Sequence, residues 1–441
     1  MIAHTDDPQL QRLLEVVSPR VGFIRSFAKA VRGAEEPSPP IMYQATLAHF
    51  DYHLAPASER VAIGKGLTDD EAMRGAFGEA IEHYCAAQVD EEKNRLARWP
   101  EIKNDSISPA EFVLYSDSQY ARANFLHHKW KEDEELTWVP VRELPSQRET
   151  LAPASLVYLN SSLPRVEDRL TFATSSGLAA GPNLEFAILN GLCELVERDG
   201  FLIHWMNQLP APEVDFSEVS GLAGDIRDHY ESFGTRLRVF NLTTDIPIYV
   251  MMCVALDKTG EGPAAIVGLG CNLDPKAALL KCLLEICQTH PSEVRRFKES
   301  ASGKRPDKYE DVISLMDHSA FLMAPERLHE FSFLLDNGRN QSIESLPGFG
   351  AGDVKQDLET CVNTLTRAGC RVAYADLTTA DIVEFGMCVV RAIATGLQPM
   401  HFGFGEERLG GRRLYEVPKA LAYAEELRTE KDLNPCPHPL A

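Results

Sequence analysis

Three stretches of this chain repeat one pattern, and the pattern demands helices. Each begins at a polar residue suited to an N-cap, next to a glycine-containing turn: Thr68, Asn183 and Asp274. Glu71 completes a capping box with Thr68, and Pro275 follows Asp274 at the favoured first helical position. Eleven residues after each cap comes a carboxylate, and three later another carboxylate or an amide: Glu79 and Glu82, Glu194 and Glu197, Glu285 and Gln288. That offset is about three helical turns, and a spacing of three keeps each pair on one face. Apolar residues flank every pair (Phe77, Ile81 and Tyr84; Leu192, Leu195 and Val196; Leu283, Leu284 and Ile286), so the pairs border core-facing positions.

Two readings of the pairs stand. They are solvated glutamates on amphipathic helices, or they converge as hard oxygen donors for a divalent cation such as Mg²⁺, which takes a few carboxylates plus nucleotide phosphate oxygens. A shared offset from three separate caps favours the second. Arg198, beside Glu197, has the fork geometry to meet a phosphate. A di-iron bundle needs E-x-x-H, and Glu82 and Glu197 stand where the histidines belong. Gly64-Lys65-Gly66 lacks the P-loop cradle. Lys65 is either a phosphate ligand or an exposed turn lysine; Gly177, Gly181, Gly268 and Gly270 read first as turn residues and second as phosphate contacts.

Helical periodicity extends over 69–90, 184–208, 275–290, 354–368 and 416–428, with strands near 41–47, 249–255, 264–268 and 371–375. The class is therefore mixed α and β. With 44 Lys+Arg against 65 Asp+Glu, a net charge of −21, the chain is a poor candidate for nucleic acid, whose binders cluster cations. No apolar run reaches the length of a membrane span and no signal peptide is visible, so a cytoplasmic protein is expected. Ten cysteines without a C-x-x-C pair read as buried reduced thiols. The thirteen histidines form no triad visible in sequence. The ending Asn434-Pro-Cys-Pro-His-Pro-Leu-Ala441 is either a disordered terminus or a stiff polyproline-like rod able to enter a pocket at low entropy cost.

The segments 64–86, 175–199, 268–288 and 375–403, together with 18–25 and the closing P-C-P-H-P, resemble the YcaO family of ATP-dependent peptide cyclodehydratases in order along the chain. The E-L-V-E-R-D run at 194–199 is the most specific match, and the proline-rich ending resembles azoline-forming members. The resemblance implies an α+β, YcaO-type fold of mixed sheets and long helices lining a nucleotide site. It implies an N-terminal segment 1–60, a catalytic domain 61–430 and a tail 431–441 that reaches the active site. ATP and Mg²⁺ are the implied cofactors, with Glu79, Glu82, Glu194, Glu197 and Glu285 at the metal and Lys65, Glu185, Arg198 and Gln288 at the nucleotide. Pro435, Pro437, Pro439 and the carboxylate of Ala441 would help position or deprotonate the substrate.

The implied reaction is attack of a Cys, Ser or Thr side chain on the preceding amide of a ribosomally made precursor peptide, with ATP phosphorylating the amide oxygen and phosphate leaving to give an azoline. Implied partners are that peptide, a ThiF-like leader-binding protein, an FMN-dependent azoline dehydrogenase and a second copy of the chain. Two alternatives stay open: thioamide or amidine formation, and a non-catalytic scaffold of the same fold. Phe186, Pro182 and His83, which depart from the family's usual residues, favour the scaffold.

Overall fold

A computed structural model describes residues 5–33, 36, 40–48, 61–159, 163, 165, 168–172, 174–300 and 305–440. The chain divides into two compact units. One holds the N-terminal strands, the chain from Ser38 to Leu195 and the return Gly352–Gly396; the other holds Val196–Ala351 and Leu397 onward, with Gly33–Pro37.

All three expected caps form. The Thr68 hydroxyl accepts from Glu71 N–H, and Glu71 reaches back to the Thr68 amide, giving a helix over Asp69–Ala86. Asn183 Oδ1 accepts from Phe186 N–H at 2.9 Å and starts Leu184–Asn207. Asp274 Oδ1 accepts from Ala277 N–H at 2.8 Å and starts Pro275–Ser300. Each cap satisfies one of the orphan donors that a first helical turn leaves exposed.

The first unit has two sheets. Strands β1 (Ile24–Lys29), β2 (Ile41–Leu47) and β3 (Val61–Gly66) form an antiparallel meander. Against it packs the Thr68-capped helix, with Phe77 stacked on Phe27 at 4.3 Å between ring centroids. The second sheet runs β4 (Arg95–Arg98), β5 (Glu135–Leu144), β13 (Val372–Asp376), β14 (Cys388–Ala394), β7 (Leu178–Gly181), with β6 (Glu149–Pro153) also paired to β5. Burial of Met73, Phe77, Ile81, Val139, Leu178 and Val389 joins both sheets and the helix in one apolar core. A buried side chain of this size contributes about 2 kcal/mol through the water it sheds.

The second unit is built on one sheet, β11 (Ala265–Asn272), β10 (Tyr249–Asp257), β9 (Thr235–Asn241), β8 (Glu213–Asp215), β12 (Asn340–Ser342). Only the β8–β12 pair is parallel. Its core is Val239, Met251, Cys253, Leu279, Leu283 and Ile286, contributed by the sheet and the Asp274-capped helix. Nine cysteines are buried and Cys388 is half-buried; all ten are free thiols. Among the described residues no helix is long and apolar enough to cross a membrane.

Three helix boundaries differ from the sequence expectation, the first being that of the Thr68-capped helix, which ends at Ala86 rather than at 90. The Asp274-capped helix passes through Pro291 to Ser300, since the proline removes a single backbone donor and the helix resumes beyond it, where Glu293 and Arg296 pair through their side chains. The expected helix 416–428 is Arg413–Ala420: Ala422 turns left-handed (φ 59°), and Pro418 O accepts from the amides of Tyr423 and Ala424, closing the helix.

Candidate functional site

The glycines before the first and third helices have a different role from the one expected. Gly64 and Gly66 lie within β3, and Gly268 and Gly270 within β11, rather than in turns. A Cβ at Gly64 would lie 2.0 Å from Ala72 O and Ala76 N; at Gly270 it would lie 2.3 Å from Ala278 O. Alternate residues of a strand face one side, so each pair of glycines clears a track along which a helix backbone approaches the sheet. Lys65 shares β3, half-buried, and is not a turn lysine. Gly177 keeps the expected turn role, with φ 85°.

In the first unit this close approach places carboxylates against backbone amides. Glu79 accepts from Ile63 N–H at 2.9 Å, Glu82 from Ala180 N–H at 2.7 Å and Glu194 from Gly177 N–H at 3.1 Å. Glu82 keeps a partly accessible edge, yet its carboxylate sits among protein atoms. Burial pushes it well above the usual carboxylate range, the Ala180 amide pulls against this, and the charges of Glu79 and Glu194 add to the rise. Arg391, buried in β14, faces the carboxylates of Glu194 and Glu82, but its Nε and Nη1 are bound to the carbonyls of Val157, Thr174 and Ser176. Three carboxylates are thus held close, and burial together with the charges of Glu79 and Glu194 favours the protonated form of Glu82. Hard, crowded carboxylate oxygens of this kind fit a divalent cation, which would remove their mutual repulsion.

The second unit holds the remaining expected residues. Glu197 and Arg198 are paired at 3.3 Å, both largely buried. The Cys282 thiol is raised by burial and then by the charges of Glu197 and Glu285, so both carboxylates face that thiol. Gln288 is half-buried one turn beyond Glu285. Glu185 lies exposed in the first turn of the Asn183-capped helix, with Phe186 beside it at 38% exposure. Pro437 and Pro439 are buried and Pro435 is exposed; Ala441 lies outside the described residues. Among the described residues no group of three or more His, Cys, Asp or Glu is set to hold a metal ion.

Three features escaped the sequence reading. Arg391 is a lone cation inside the apolar strand Cys388–Ala394, which is a legible signal for a buried charge with a purpose. Asp199, fully buried, receives Arg413 through two contacts of 2.8 Å and the amide of Gln398 at 2.8 Å, while Arg413 also meets Asp245 at 2.7 Å. Three buried histidines, His318, His401 and His438, come together from positions far apart in sequence, which no local pattern reveals.

Comparison with known proteins agrees with this architecture. The family model described as YcaO cyclodehydratase, ATP- and Mg²⁺-binding, matches residues 63–398. The chain belongs to the YcaO family. An uncharacterised protein of Methanothermobacter thermautotrophicus is 28% identical over 369 residues, 81% of this chain and 88% of the relative. A heterocyclase solved in complex with substrate and cofactor superposes with a TM-score of 0.82 at 27% identity over 98% of this chain; the chain spans 57% of that heterocyclase's length. YcaO from Methanopyrus kandleri, bound with AMPPCP and Mg²⁺, has the same fold, with a TM-score of 0.62 at 22% identity over 88% of each chain. The fold is the α+β YcaO fold, and the family is one that binds ATP and Mg²⁺.

Proposed function

We propose that this chain is the catalytic member of an ATP- and Mg²⁺-dependent cyclodehydratase that converts Cys, Ser or Thr residues of a ribosomally made precursor peptide into azolines. The observation that carries the reading is the crowding of Glu79 and Glu194 around the buried carboxylate of Glu82, whose proton burial and those two charges hold on. When bound, Mg·ATP supplies an electrophilic phosphoryl group that makes the amide oxygen of the substrate a good leaving group. The chain's own residues do the rest. Glu79, Glu82 and Glu194 hold metal in the first unit, and Glu197 and Glu285 do so in the second. Arg198, Gln288, Lys65 and Glu185 orient phosphates and nucleotide. Arg198 is suited to the charge that develops on phosphate oxygens, because its guanidinium is largely shielded from water and already oriented by Glu197. The closing residues Pro435, Pro437 and Pro439, ending at Ala441, align the peptide, a gain of positioning rather than of new chemistry.

A ThiF-like protein that captures the leader of the precursor, an FMN-dependent dehydrogenase that oxidises the azoline, and a second copy of this chain are the proposed partners. The test is to incubate the chain, its leader-binding partner and a Cys/Ser/Thr-rich precursor with ATP and Mg²⁺, and weigh the peptide. Loss of about 18 Da per ring, one water each, is expected. A gain of sulfur mass would indicate thioamide formation, and no ATP turnover under any pairing would leave the scaffold reading.

A further inference from the structure

Residues 434–440 are held along their length in the second unit. The Asn434 amide donates to Met206 O at 2.6 Å, and Trp205 Nε1–H donates to Cys436 O at 3.0 Å. From Cys436 to Leu440 every residue is buried. At the centre of this contact is His318, on the helix Leu315–Leu322, 1% exposed. Its Nδ1 lies 2.9 Å from the carbonyl oxygen of His438, and its Nε2 lies 2.9 Å from the backbone nitrogen of Gly403. A carbonyl only accepts and a peptide N–H only donates, so Nδ1 carries the hydrogen and Nε2 is bare. A protonated ring would set two N–H groups against each other at Gly403. The His438 ring stacks on His318 at 4.1 Å between centroids and gives its Nε2–H to His401 O at 2.7 Å, while its buried Nδ1 has no acceptor for a second proton among the described residues.

We propose that His318 is a positioning residue for the C-terminal segment: as the neutral Nδ1–H tautomer it ties the backbone of 434–440 to the Gly403 turn, docking the segment at neutral pH and releasing it on acidification. The functional consequence rests on the cyclodehydratase reading, which gives Pro435, Pro437 and Pro439 their task; the docking itself does not.

The charged surroundings agree. Asp317 on the same helix is spent on capping, accepting from the amides of Ile313 and Ser314. His438 faces His318 from the closing segment and His401 from the chain before it, Arg408 acts on His401, and Arg198 from the Asn183-capped helix acts on His438. Burial lowers His318 to about 4 and His401 to about 3, and puts His438 well below its ordinary value. The sign follows: a released segment leaves its histidines near their ordinary 6.5, so release takes up protons between there and about 4, and docking weakens as pH falls through that window.

The test is hydrogen exchange of residues 434–440 in the full-length protein at pH 7.5 and 5.5, corrected for the intrinsic rate. Each histidine freed raises the opening constant about tenfold between those pH values. His318→Gln, whose amide both donates and accepts but does not titrate, should cut the rise with acid by about tenfold. His318→Ala should open the segment at both pH values. An unchanged acid response in His318→Gln, or unchanged protection in a folded His318→Ala, would overturn the proposal; should His318→Ala fail to fold, the glutamine variant decides. Failure of azoline formation would leave these exchange data untouched.

Discussion

The two units bury acid in opposite ways. In the second, Asp199 has no exposed surface and is completely matched: Arg413 grips both its oxygens at 2.8 Å, and the Gln398 amide adds a third contact. Burial pushes the Asp199 carboxyl up and the guanidinium pulls against it; against the cost of burial, Asp199 and Asp245 hold Arg413 protonated. In the first, Glu82 is surrounded by Glu79 and Glu194, and a nearby cation, Arg391, has its Nε and Nη1 bound to backbone carbonyls. A matched buried charge holds structure. A mismatched one costs stability and is retained for what it binds.

The comparison breaks most visibly at Asp199. Asp199→Asn leaves Arg413 with the partly exposed Asp245 as its charged partner, so unfolding by urea should show a loss of about 3 kcal/mol. Unchanged stability would mean the pair is dispensable. Close behind is the glycine track. Gly64→Ala forces a methyl to 2.0 Å from helix backbone and should cost about 3 kcal/mol or leave no folded protein, whereas Gly268→Ala, whose nearest backbone contact would be 2.8 Å, should cost about 1 kcal/mol. Equal midpoints for the two would refute the close-packing account.

Glu82→Gln sharpens the contrast. Ring formation should fall by at least about a hundredfold, because one preorganised charge is removed where charge develops. Stability should move the other way, rising by about 1 kcal/mol at pH 7 as crowding is relieved. The pH dependence fixes the sign. The folded state holds the Glu82 proton more tightly than the unfolded chain, so its contribution is full below the ordinary value of 4.5 and is lost as pH rises. The glutamine variant should lack that decline in melts taken from pH 4 to 8.

Much of this organisation was legible in the chain. Thr68, Asn183 and Asp274 announce the three helices through local hydrogen bonding, which is why their starts fall where expected. The carboxylates at fixed offsets follow from helical geometry once the caps are placed. What local pattern could not supply is how strands reach helices: the alternating glycines of β3 and β11 are indistinguishable from turn glycines until the strand is drawn. The Asp199–Arg413 grip and the histidine trio join residues 37 to 214 positions apart and depend wholly on tertiary placement. In sequence the ending stays open between a disordered terminus and a stiff rod, because alternating prolines lower the entropy of ordering it but do not say what it packs against; residues 436–440 are buried.

The central claim is that the mismatched carboxylates of the first unit are kept for Mg²⁺ and nucleotide. Calorimetric titration of a non-hydrolysable ATP analogue with Mg²⁺ into the wild type and into Glu82→Gln tests it directly. Saturable binding that requires Mg²⁺ and is weakened at least about tenfold in the variant is the expected result, one lost contact to a charged ligand being about 1.4 kcal/mol or more. Equal affinity in both proteins, or binding indifferent to Mg²⁺, would contradict it.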